Sequence, residues 1–195
     1  MVLKSIFEQG AFSAYSNVRL DEARGSIPLA HSSYGYRKTT VFISHKHDDL
    51  EDLKGLLGFL EKEYNVKVYI DSNDPTMPKL TSAKTAENIK NRIKQCDKFI
   101  LLATDGAVES KWCNWELGYG DAQKYRAHIA LFPLKSKGSS DREYKGSEYM
   151  GLYPYIIYCY GFEQYEDGSP VKKGYYVYYP DTNSITAIEE WFTKR

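Results

Sequence analysis

Cysteine is scarce in this chain. Cys96, Cys113 and Cys159 are the only three, an odd number with no metal-ligand spacing among them. That excludes a disulfide-stapled scaffold and a cysteine-rich zinc module, and reduced thiols in a cytosol are the simplest reading. An excess of charge of either sign is also missing: Lys and Arg total 26, Asp and Glu total 26, and the pI is near 6.9. With no basic surplus to neutralise a run of phosphates, nucleic acid is not expected as a partner. No apolar stretch approaches the ~20 residues of a membrane span, and the opening MVLKSIFEQGAF has no signal-peptide core. The expectation is a cytoplasmic protein off the membrane. Neither a G-x-G-x-x-G after the first strand nor a Walker sequence occurs, so a conventional dinucleotide or P-loop site has no support. Internal repeats and low-complexity tracts are absent as well.

What the chain has is aromatic residues, 15% of 195, with 18 Tyr, 8 Phe and 3 Trp. This supports a packed core in one ordinary domain and argues against disorder. Residues 1–38 show weak periodicity and read as an N-terminal extension, partly helical and packed on a domain spanning 39–195. From Thr39 the pattern sharpens. TTVFIS at 39–44 is a short strand, and Leu50, Leu53, Leu57, Leu60 and Tyr64 then recur at helical spacing. VKVYI at 66–70 is a second strand. Residues 71–84, with Pro75 and Pro78, form a long loop. Ala86, Ile89, Ile93 and Cys96 mark one face of a helix, and KFILLA at 98–103 reads as a strand buried on both faces. A helix over about 110–125, a fourth strand at 128–134 and a fifth at 155–160 follow a polar connection at 135–149. Strands alternating with helices imply right-handed crossovers, hence an α/β fold with a five-stranded parallel sheet covered on both faces. After Gly161 the alternation stops. Asp167-Gly168-Ser169-Pro170 and the run Tyr175–Tyr179 indicate a hairpin inserted over 161–183, before a last helix with Ile185, Ile188, Trp191 and Phe192 on its buried side. The tyrosines crowded between Tyr144 and Tyr179 stand at strand spacing, which suits half-buried sheet residues better than a stacking platform for bases.

In an open parallel sheet, ligands bind outside the carboxyl ends of the strands. Those ends carry Ser44 and His45, then Asp71 and Ser72, then Thr104 and Asp105. The next helix contains Trp112-Cys113-Asn114-Trp115-Glu116-Leu117-Gly118. A four-residue step turns about 40° on a helix, so Trp112 and Glu116 share a face. A carboxylate among large apolar side chains at a cleft edge is the first candidate for catalysis. Each residue also has a plain alternative. Glu116 can be a solvated helix acid or the partner of a Lys or Arg, and Trp112 and Trp115 can be core anchors. His45 and His47 can initiate the helix, and with no third ligand at suitable spacing no metal site is expected. Asp71 can simply end its strand. Ser44 and His45 are adjacent, which does not make them a nucleophile and base.

Val41-Phe42-Ile43-Ser44-His45, then Val68-Tyr69-Ile70-Asp71 before a Pro-containing loop, then Trp112-x-x-x-Glu116, resemble a Toll/interleukin-1 receptor (TIR) domain. More narrowly the chain is similar to bacterial TIR domains that consume NAD, including those of anti-phage systems such as Thoeris. The resemblance covers about 39–134 well and the fifth strand and last helix loosely. It does not cover 1–38 or the Tyr-rich hairpin. It implies a flavodoxin-like fold, with Glu116 as the catalytic glutamate. It maps Phe42, Ser44 and Trp112 to the substrate site, which His45 and Asp71 at the strand ends and Trp115 beside Glu116 would complete, and the mobile loop of the family to 71–84. NAD would then be a substrate, with no cofactor. Cleavage of the nicotinamide–ribose bond builds oxocarbenium character that a carboxylate stabilises, as in glycoside chemistry. Attack by water gives ADP-ribose; attack from within the molecule gives a cyclic ADP-ribose isomer, favoured where water is excluded. The resemblance also implies self-association through TIR surfaces and the 71–84 loop, and a separate effector that senses the product. Two other readings share the residues: a non-catalytic TIR adaptor, and an enzyme like the nucleoside deoxyribosyltransferases, which also sets a glutamate at an anomeric carbon.

Overall fold

A computed structural model describes residues 5–18, 20, 37–70, 82–140 and 148–194. Asp71 and most of the 71–84 loop fall outside them. Strands β1 (Phe7–Glu8), β2 (Thr40–Ser44), β3 (Lys67–Ile70), β4 (Lys98–Ala103), β5 (Ile129–Lys135), β6 (Tyr155–Cys159), β7 (Gly174–Tyr179) and β8 (Ser184–Ala187) build one sheet. The helices are α1 (Leu50–Tyr64), α2 (Ala83–Gln95), α3 (Asp105–Glu109), α4 (Lys111–Lys124) and α5 (Ile188–Thr193). The strand order is β3-β2-β4-β5-β6-β7-β8. The five strands β2 to β6 run parallel, as the alternation of elements predicts, and this is the flavodoxin-like arrangement.

β2 and β4, and β5 except for its last residue, are buried along their length, which is why they read as nearly unbroken apolar runs. Side-chain alternation splits the core between the two faces. Val41 and Ile43 of β2 join Leu53, Leu56, Leu57 and Leu60 of α1, with Trp191 and Phe192 of α5 in the same cluster. Phe42 joins Ile89 and Ile93 of α2, Phe99 of β4, and Cys113 and Leu117 of α4. The caps are encoded locally. Ser82 and Thr85 form a capping box at α2, Thr104 caps α3, and Ser110 caps α4.

The sheet is larger than the five strands expected. β7 pairs antiparallel with β6, and β8 antiparallel with β7, so the Tyr-rich segment continues the central sheet. Asp167–Pro170 does turn the chain: Tyr165 donates to the Ser169 carbonyl and Gln164 bridges Pro170. A second turn at 180–183, with Asn183 at φ 50°, then leads into β8. Ile185, expected on the last helix, lies in β8 instead, and α5 is only six residues long.

β1 pairs parallel with the carboxyl end of β5, with Phe7 opposite Leu134. Phe12 is buried against Phe59 and Phe132. The backbone here lies so close to α1 that a Cβ at Gly55 would stand 2.8 Å from the Phe12 carbonyl oxygen, and one at Gly58 would overlap the Tyr15 carbonyl. The two glycines, three apart on one helix face, allow this approach. Among the described residues no helix is long and apolar enough to cross a membrane.

Candidate active site

Strand β2 runs to β3 on one side, and the chain then returns to β4 on the other. The switch in winding direction therefore falls between β2 and β4, where an open α/β sheet forms its ligand crevice. Ser44 ends β2 at this point and Thr104 follows β4. Helix α4 lies on the Phe42 side of the sheet and aims Glu116 back at the end of β2. The Ser44 hydroxyl donates to Glu116 Oε2, and neither residue has any exposed surface. The two best-placed residues of the sequence reading, 72 positions apart, are thus brought into direct contact. A carboxylate withdrawn from water and held by a hydroxyl keeps its charge localised and oriented, which suits stabilisation of a cationic centre.

The other expected residues take different places. Phe42 lies one strand step below Ser44, fully buried, its ring 5.7 Å from that of Phe99. It supports the floor of the site. Trp112 and Trp115 are half-buried on α4 with ring centroids 4.9 Å apart, and Tyr119 extends the row at 6.2 Å. The Lys90 ammonium of α2 stands 5.7 Å from the Trp115 ring and 5.5 Å from that of Tyr119. This aromatic row begins beside Glu116 and leads away from the rim.

His45 is buried just after Ser44 and interacts electrostatically with Asp49, in the turn (His47–Asp49) before α1. That turn is tied to the end of β4 by a residue pair the motif reading passed over. Thr104 donates its hydroxyl to Asp49 Oδ2 at 2.6 Å and accepts the Ala107 amide at 3.0 Å. Burial holds the Asp49 carboxyl above the usual carboxylate range, against the pull of the Thr104 hydrogen bond. The next position along, Lys46, is extended and lies across Gly106 of α3. Its signal was present in the sequence: Phe42, Ser44 and Lys46 continue a period of two past the strand end. Asp105 accepts from the Ser136 hydroxyl at 2.8 Å, closing the rim toward β5. Among the described residues no three His, Cys, Asp or Glu side chains are grouped to hold a metal.

A buried glutamate bound to a strand-end serine thus stands at the switch point of a doubly wound α/β sheet. The chain belongs to the TIR domain family, whose pattern it matches over residues 41–165. It is 31% identical over 137 residues to a probable 3′ cyclic ADP-D-ribose synthase ThsB′ of Bacillus cereus (strain MSX-D12), covering 69% of each chain. It is also 32% identical over 82 residues to a putative cyclic ADP-D-ribose synthase TIR2 of Cytobacillus dafuensis, covering 40% of this chain and 21% of that one. The crystal structure of a prokaryotic SEFIR domain is a distant likeness, with a TM-score of 0.44 at 18% identity over 81% of this chain and 94% of that one.

Proposed function

We propose that this chain cleaves the nicotinamide–ribose bond of NAD and closes the remaining ADP-ribose on itself, as a signal-producing enzyme of anti-phage defence. The observation that carries the reading is the buried Ser44–Glu116 pair at the switch point. The relatives named as cyclic ADP-D-ribose synthases support it. Nicotinamide departs neutral, taking the bonding electrons onto a ring nitrogen that was cationic. The positive charge left on the sugar faces Glu116, whose carboxylate is worth more there than in water. Ser44 holds one carboxylate oxygen, so the group meets the developing charge already oriented. A ribose hydroxyl of the same molecule then bonds to the anomeric carbon, and its proton passes to the carboxylate. The aromatic row of Trp112 and Trp115 offers a surface on which the adenine half can stack while the molecule folds back.

Incubation with NAD, followed by chromatography and mass spectrometry, tests the product. The expected species is nicotinamide plus a nucleotide with the mass of ADP-ribose less one water. ADP-ribose alone from a fully active preparation would leave a hydrolase. No nicotinamide at all would leave the adaptor reading.

Activity is further expected to require self-association through TIR surfaces and residues 71–84, as the family resemblance implies. Turnover per molecule should climb with protein concentration. A constant value over a wide dilution range, with only monomer by light scattering, would refute it. The nucleotide product would be read by a separate effector.

A further inference from the structure

The catalytic pair accounts for the sugar end of the substrate and leaves its diphosphate unmatched. The rim around Ser44 is rich in carboxylates. Glu116, Asp49 and Asp105 all stand on it, and together they would repel a doubly anionic linker. Among the described residues Lys46 brings a cation to the same rim. Phe42 and Ser44 point to the α4 side of β2, and Lys46, two residues beyond the strand end, is itself extended at φ −79° and ψ 141°. Each two-residue step along an extended chain advances about 6.6 Å, so Lys46 stands one step outward from the Ser44–Glu116 contact. One ribose separates the anomeric carbon of NAD from its diphosphate, a similar reach.

The position of the lysine is shaped by its surroundings. Its side chain crosses Gly106, the second residue of α3, so closely that a Cβ there would stand 2.9 Å from Cδ and 3.0 Å from Nζ. The absence of a side chain at 106 makes the groove in which the lysine lies. Its ion pair with Asp48, at 3.3 Å, is exposed on both sides and contributes little. The side chain itself is 41% exposed, so an entering anion can reach it.

We infer that Lys46, laid in the groove over Gly106, holds the diphosphate of the dinucleotide while Glu116 faces its anomeric carbon. The inference rests on the reading of the chain as an NAD-cleaving enzyme and assigns a binding role to a residue of that same site. Lys46 is then a binding residue whose contact is the same in the ground and transition states, so it acts on KM and leaves kcat alone.

The test is steady-state kinetics of nicotinamide release with Lys46→Ala, Lys46→Arg and Gly106→Ala, alongside inhibition by ADP. Lys46→Ala should raise KM for NAD about tenfold or more with kcat within about twofold. Inhibition by ADP should weaken in parallel, and Lys46→Arg should restore most of both. Gly106→Ala, which keeps every charge but fills the groove, should raise KM in the same direction. Combined with Lys46→Ala it should add nothing, because both changes remove one contact. An unchanged KM and unchanged ADP inhibition in Lys46→Ala, or a fall in kcat alone, would overturn the assignment. So would independent, multiplying effects of the two substitutions. Wild-type protein that releases no nicotinamide but still binds ADP through Lys46 would sink the enzyme reading and keep the anion site. Wild-type turnover with an indifferent Lys46 would do the reverse.

Discussion

Glu116→Gln should lower nicotinamide release by about a hundredfold or more while the far-ultraviolet circular dichroism stays that of the wild type. Gln keeps the size of the side chain and can still accept the Ser44 hydroxyl bond, so packing on β2 is preserved. What it removes is the negative charge in a site without solvent access. The burial works in opposite directions for stability and catalysis. A carboxylate taken out of water costs the fold free energy, which its polar contacts, the Ser44 hydroxyl among them, offset. The neutral amide spares the fold most of the cost, so Glu116→Gln should melt at or above the wild-type temperature. Loss of activity with an unchanged or raised Tm is the signature of a charge kept for chemistry. Near-normal turnover in the variant would exclude the electrostatic role.

The second large effect is expected at the opposite pole of the sheet. Trp191→Ala should destabilise the protein by about 3–5 kcal/mol, read as a shift in the urea midpoint. α5 has six residues, too few to hold its own conformation. Trp191 anchors it: the indole is fully buried and donates from Nε1 to the Ala127 carbonyl at 2.9 Å. The indole also underlies a buried cation. Lys98 Nζ stands 4.8 Å from the ring centroid and bonds the Lys194 carbonyl at 2.7 Å and His128 Nδ1 at 2.9 Å. Burial brings Lys98 down to about 8 from its usual value, so near neutral pH its ammonium depends on these partners. Removing the indole therefore opens a large cavity, leaves a carbonyl unsatisfied and strips a face from the lysine. The site lies at the carboxyl ends of the strands and Trp191 at the amino ends, so nicotinamide release per folded molecule should not change. A loss of stability below about 1 kcal/mol would contradict the anchoring role.

The parallel sheet was legible because its strands are short apolar runs between amphipathic helices, a pattern with few alternatives. β8 was not. Ile185, Ile188, Trp191 and Phe192 stand at spacings that fit a helix throughout, and a four-residue edge strand shows too little alternation to compete. β1 has only two residues and is a strand by virtue of the β5 edge it meets, a long-range fact no local pattern carries. At the site, the rim rule and the Trp112-x-x-x-Glu116 spacing located Ser44 and Glu116, but the bond between them needed the fold. The parity of Phe42 on β2 sets its ring against Phe99, a neighbour only the strand pairing supplies. Lys46 and Gly106 belong to no motif, and a missing Cβ has meaning only once something lies across it.

The pairing of β1 with β5 also sets a schedule for the chain as it leaves the ribosome. Phe12 and Tyr15 can settle on the glycines of α1 soon after that helix emerges. Phe7 must wait for Leu134, its partner in the register. At ordinary translation speeds that wait is on the order of ten seconds. During it the first strand is a short sticky end with no edge to meet, and the half-made sheet cannot close over Phe132. β1 and β5 thus reach their final packing together, after Phe12 and Tyr15 have met α1. A ribosome-bound chain arrested before β5 should remain open to protease around Phe7, although that residue is made long before its partner.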